Sequence, residues 1–123
     1  CHMLFTGDMG EREEQILLEK KKDPLLSEVN VLKTAHHGSK YSSSQSFLDA
    51  VSPVWAVISY GQGNSYGHPH KEVLERFNER SVTVFGTGMS GAVRLETDGT
   101  RIRFSTFVDG TRNHGYNVKK EKE

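Results

Sequence analysis

The chain alternates, three times over, between a short apolar run and a stretch with helical spacing. "MLF" at the start, "VNVLKTA" (29–35) and "VWAVISY" (54–60) read as strands. They are separated by Glu11 to about Lys21, where charges surround Ile16, Leu17 and Leu18, and by "SSSQSFLDAV" (42–51), where Phe47, Leu48 and Val51 share one face. A third helical stretch follows "YGHPH", with Pro69 at its expected first position and Val73, Leu74 and Phe77 inward. "SVTVFGTG", "GAVRLETDG" and "RIRFSTF" then read as strands, the last two joined by the hairpin signal Asp98-Gly99. Strands that alternate with helices imply a parallel α/β sheet, here a mixed sheet with antiparallel edge strands and about three helices.

A chain of 123 residues accommodates one domain with a single core. Cys1, His2 and Met3 read as a cloning remnant, 4–108 as the folded part, and 109–123 as a flexible polar tail. Opening on a half-strand leads to the expectation that this is a piece of a longer domain. Sixteen Lys and Arg balance sixteen Asp and Glu, so no overall positive field draws in nucleic acid, and any binding must come from local placement. The Lys20–Lys22 run reads as a solvated helix end. With Cys1 the sole cysteine, the fold does not depend on disulfides. Runs such as "VWAVIS" are too short to span a bilayer, which predicts a soluble chain.

In a parallel α/β sheet the loops after the strands gather at the carboxyl edge, where ligands bind. Here those loops carry Asp8; then His36, His37, Gly38 and Ser39; then Asn64, Tyr66, His68 and His70. A carboxylate with several imidazoles suits a borderline metal such as zinc or manganese. Each residue also has an ordinary reading. Asp8 serves equally as a helix cap, and His70 as an exposed residue of a first helical turn. His68 before Pro69 is either a helix-start signal or, as a neutral imidazole at a helix N-terminus, a donor to phosphate. The hydroxyls of "GSKYSSS" either cap a helix or cradle phosphate. Strand alternation would turn one of His36 and His37 toward a metal and the other toward a neighbour or substrate.

Taken together, "TGD" after a strand, "AHHGS" about thirty residues on, "NSYGHPH" before a helix and the "TGMSGAVRLETDG" meander resemble the C-terminal half of the metallo-β-lactamase-fold domain of ComEC competence proteins, the channels that internalise single-stranded DNA. The likeness covers roughly Leu4 to Phe107. It implies half of an αββα sandwich hydrolase whose complete domain holds two divalent ions, zinc or manganese. Asp8 would bridge both ions, His37, directly before glycine, would complete the second, and His36 and His68 would act in catalysis. Ser39, Asn64 and Tyr66 would contact substrate.

The family's His-x-His-x-Asp-His motif is absent from this chain, since its one His-x-His is His68-Pro69-His70 with no Asp-His pair after it. Metal binding by the chain alone is therefore expected to be weak or absent and the isolated chain inactive. The expected partners are single-stranded DNA, the N-terminal half of the domain and the membrane channel of the parent. A second copy meeting an exposed sheet face is a further expectation. The likeness implies the extracellular face of a bacterial membrane. The rival readings are a non-catalytic structural module, and another hydrolase of the fold acting on phosphorylcholine esters or lactones.

Overall fold

The computed structural model describes residues 1–20 and 24–107, together with the backbone of 112–117. It is an α/β fold with two sheets. Strands β1 (Met3–Phe5), β2 (Val31–Lys33), β3 (Trp55–Ile58) and β4 (Thr83–Gly86) pair in that order, all parallel. Helices α1 (Glu11–Lys20), α2 (Gln45–Val51) and α3 (Lys71–Glu79) connect them.

Period-two alternation sorts the strand residues into rows. Leu4, Leu32, Ala56 and Val84 stand opposite one another across the sheet, and all belong to the core packed against the helices. Phe47, Leu48 and Val51 of α2 and Val73 and Phe77 of α3 are fully buried in that core, each contributing about 1.5–3 kcal/mol of burial. Ser44 caps α2 by accepting from the Phe47 N–H at 3.2 Å, and Ser52 ends it in a left-handed conformation. Helix α3 begins at Lys71 with His70 as its cap, two residues later than the position of Pro69 suggested.

The opposite rows, Met3–Val31–Trp55–Thr83 and Phe5–Lys33–Val57–Phe85, face the second sheet. After a one-turn helix α4 (Thr87–Ser90), β5 (Val93–Thr97), β6 (Arg101–Thr106) and β7 (Arg112–Asn117) form an antiparallel meander. Ile102 and Phe104 of β6 pack on Val31, Trp55 and Phe85, with the Phe85 and Phe104 rings stacked at 4.3 Å. The outer side of β5 and β6 is charged, exposing Arg94, Glu96, Arg101 and Arg103. At the β5–β6 turn, Asp98 Oδ1 accepts from the Thr100 and Arg101 amides, which holds its carboxyl below the usual range.

Two expectations change. The antiparallel strands do not extend the parallel sheet but stack on it, because the apolar side of β6 covers Trp55 and Phe85 rather than pairing at an edge. The sheet face expected to be bare is therefore largely covered. What remains is a strip along β1, where Met3 and Phe5 are 45% and 70% exposed beside a cavity of about 200 Å³. The His2 amide donates to Asn30 Oδ1 at 2.9 Å, and Met3 opens β1. Within the expected tail, Arg112–Asn117 pair with β6, while the rest of 109–123, like Lys21 and Lys22, lies outside the described residues.

Candidate functional site

The loops after β1, β2 and β3 meet at the carboxyl edge of the parallel sheet. In the first, Thr6 donates through Oγ1 to the Lys33 carbonyl at 2.7 Å, Gly7 takes a positive φ, and Asp8 is left exposed. Asp8 is not the cap of α1, since the amide of Gly10, just before the helix, donates to Glu13 Oε2 at 2.9 Å. Asp8 lies close enough to Lys33 to favour its charged form. Loss of hydration nevertheless draws the lysine below its ordinary value, the larger of the two effects.

The second loop is strained. His36 (φ 49°, ψ 43°) and His37 (φ 55°, ψ 26°) both adopt left-handed backbone, and Gly38 follows at φ 83°. Such a conformation costs an ordinary residue of order 1–2 kcal/mol and persists where surrounding contacts dictate it. Those contacts are the His36 amide on the Gly7 carbonyl (2.9 Å), the Ser39 amide on the His36 carbonyl (3.0 Å) and the His37 ring on the Ser59 carbonyl. Gly38 is required twice over, by its φ and because a Cβ there would lie 2.6 Å from Pro69 Cβ. The strand has already ended at Lys33, so alternation does not divide the two histidines. Both rings are exposed, with centroids 6.4 Å apart.

His37 Nδ1 donates to the Ser59 carbonyl at 2.7 Å, which in a neutral imidazole leaves the lone pair on Nε2. That is the arrangement in which an imidazole is held ready to ligate. His70 is different. Its Nδ1 accepts from the Lys40 amide at 2.9 Å, its Nε2 reaches the Tyr66 carbonyl at 3.2 Å, and its own amide donates to the Gly38 carbonyl. Both ring nitrogens are thereby occupied in joining the second loop to the third, a role that a reading of His70 as an exposed helix residue did not anticipate.

In the third loop Asn64 satisfies all four of its hydrogen-bonding positions. Nδ2 donates to the Gly61 and His68 carbonyls, and Oδ1 accepts from the Tyr66 and His68 amides. Asn64, expected to contact substrate, thus has its side-chain amide engaged within the loop. His68 sits amid the other imidazoles, its ring centroid 5.8 Å from His36, 6.4 Å from His37 and 4.7 Å from His70. Loss of hydration, then electrostatic interaction with His70, His36 and His37, brings it below the ordinary histidine value. A cavity of about 300 Å³ opens between His37, Ser59, Tyr60, Asn64, Tyr66 and His68.

The hydroxyl-rich stretch lies apart from that cavity. Ser39 is buried and its Oγ accepts from the Tyr41 amide at 3.2 Å. Ser42 donates to the Met9 carbonyl at 2.6 Å, while the amides of Ser43 and Ser44 both go to the buried carboxylate of Glu14. Arg76 collects the carbonyls of Lys40, Ser42 and Ser43. The Ser42 hydroxyl and the amides of Ser43 and Ser44 are thus engaged within the protein. Glu14 and Arg76 read in the sequence as charged helix surface, and nothing local distinguishes them from their exposed neighbours. Tyr60 was also missed: Cβ atoms at Gly86 and Gly88 would lie 2.7 and 2.1 Å from its ring, so the "GTG" spacing marks where that ring lies on the backbone.

No family model and no solved structure matches the chain. Three curated proteins do. It is 42% identical over 93 residues to "Competence protein ComA" of Neisseria gonorrhoeae, a stretch covering 76% of the chain and 13% of that protein. It is 37% identical over 112 residues to "Recombination protein 2" of Haemophilus influenzae, covering 85% and 14%. It is 34% identical over 104 residues to "ComE operon protein 3" of Bacillus subtilis, covering 85% and 13%. The chain thus spans about one-seventh of the length of these relatives. Among the described residues no helix is long and apolar enough to cross a membrane. At this level of identity across three organisms, the chain is homologous to one segment of ComEC-type competence proteins.

Proposed function

We propose that this chain supplies one edge of a metal-dependent phosphodiesterase domain that acts on single-stranded DNA in a DNA-uptake protein. The observation that carries the reading is the pair of adjacent histidines in left-handed backbone, beside an exposed aspartate and a third imidazole, at the edge where strand-to-helix loops converge. The competence relatives supply the biological setting, and the resemblance to a metallo-β-lactamase half-domain supplies the chemistry. The remainder of such a domain would pack along the β1 strip at Met3 and Phe5, and the site would face outward from the membrane that carries the channel.

Asp8 and His37 fit a zinc or manganese ion in kind, as an exposed carboxylate and an imidazole whose Nδ1 is already engaged. In number they fall short. Among the described residues no three His, Cys, Asp or Glu side chains form a group that could hold a metal ion, whereas a catalytic ion takes about three protein ligands and a water. The other donors would come from outside this chain. A bound ion would supply a water activated near neutral pH and charge to offset the phosphate. His36 or His68 would hydrogen-bond the phosphate oxygens or protonate the leaving oxygen. The same shortfall of donors favours, as a second reading, a non-catalytic module that braces its parent.

The test joins this chain to the segment that precedes its equivalent in the competence relatives and assays cleavage of single-stranded DNA with manganese or zinc. Cleavage that falls by about 100-fold or more in Asp8→Ala and His37→Ala is the expected result. Absence of cleavage with metal demonstrably bound would favour the bracing module.

A further inference from the structure

We infer that Tyr66 is a stacking platform for an unpaired nucleobase, with the imidazole of His68 placed for the phosphate beside it. The inference rests on the nucleic-acid part of the reading above, not on cleavage. Tyr66 is 75% exposed, although it stands in a loop whose neighbouring polar groups are internally bonded. Its backbone is held at both ends, the amide by Asn64 Oδ1 at 3.1 Å and the carbonyl by His70 Nε2 at 3.2 Å. Its ring lies offset on His68 at 5.7 Å and 21°, which limits its freedom. A rigid, solvent-facing aromatic has little entropy left to lose when a second ring stacks on it.

The surroundings select the kind of ring. Tyr66 and His68 border the 300 Å³ cavity together with His37, so an aromatic group stacked on Tyr66 would carry its attached anion toward the His68 ring. A base linked to a phosphate has that shape and charge. Every base presents a π-face, so the contact would tolerate sequence but require the base to be unpaired. The balanced charge of the chain means that stacking, rather than a general positive field, would account for most of the affinity.

The test measures, at low ionic strength, the affinity of this chain for a short oligothymidylate and for an abasic oligonucleotide of the same length and charge. Wild type should prefer the thymidylate by roughly 5- to 100-fold. Tyr66→Ala should abolish the preference while leaving the abasic affinity unchanged, and Tyr66→Phe should keep it. Equal affinities in wild type, no binding of either strand, or a preference that survives Tyr66→Ala would overturn the inference. Because no metal or turnover enters the measurement, a preference for bases without cleavage would uphold this site and count only against the phosphodiesterase reading.

Discussion

Two loops at the same sheet edge carry polar residues, and they use them in opposite ways. The stretch from Ser39 to Ser44 turns its amides and carbonyls inward, to the buried Glu14 carboxylate and the Arg76 guanidinium that hold it from beneath. The stretch from Gly61 to His70 satisfies itself through Asn64 and His70 and leaves Tyr66 exposed with His68 half-buried beneath it. A loop rich in hydrogen-bonding groups is a binding surface only where the protein has not already engaged those groups. Here the serine amides are engaged with the scaffold, while the rings of Tyr66 and His68 lie outside the hydrogen bonds that hold their loop.

The largest expected effect separates the two loops. Glu14→Ala strands two amides, one of them in a buried residue, and should lower global stability by about 2–5 kcal/mol in denaturant unfolding. Asn64→Ala should lower it by less, because its loop is largely exposed, yet shift the NMR resonances of Tyr66 and His68. Equal losses would mean that both loops are scaffold and would remove the contrast. A smaller effect of opposite sign is expected within the strained turn. His36→Gly relieves a left-handed backbone and should raise stability by up to about 1 kcal/mol. Loss of stability instead would show that the His36 side chain supports the fold.

Much of this organisation was legible in the sequence, because it is local. Ser44 caps α2 and Asp98-Gly99 turns the hairpin as short-range chemistry dictates, and the apolar alternation of β2 and β3 identifies two buried faces. Alternation cannot say what covers a face. Whether Ile102 and Phe104 extend a sheet or stack upon one depends on contacts with residues such as Trp55, far away in the chain. Likewise, Asp8, His36, His37 and His68 stand out as residue types, whereas the His37 tautomer, the His70 bridge and the Glu14 brace arise from partners more than twenty residues away or from loop geometry.

The proposed function rests on Asp8 and His37 as ligands of a metal site whose other donors would come from outside this chain. Calorimetric titration of zinc and manganese tests it most directly, using the chain with Cys1→Ser and His2→Ser so that its terminal donors do not contribute. Weak binding, lost in both Asp8→Ala and His37→Ala, is the predicted result. Submicromolar binding that Asp8→Ala leaves unchanged would contradict the assignment.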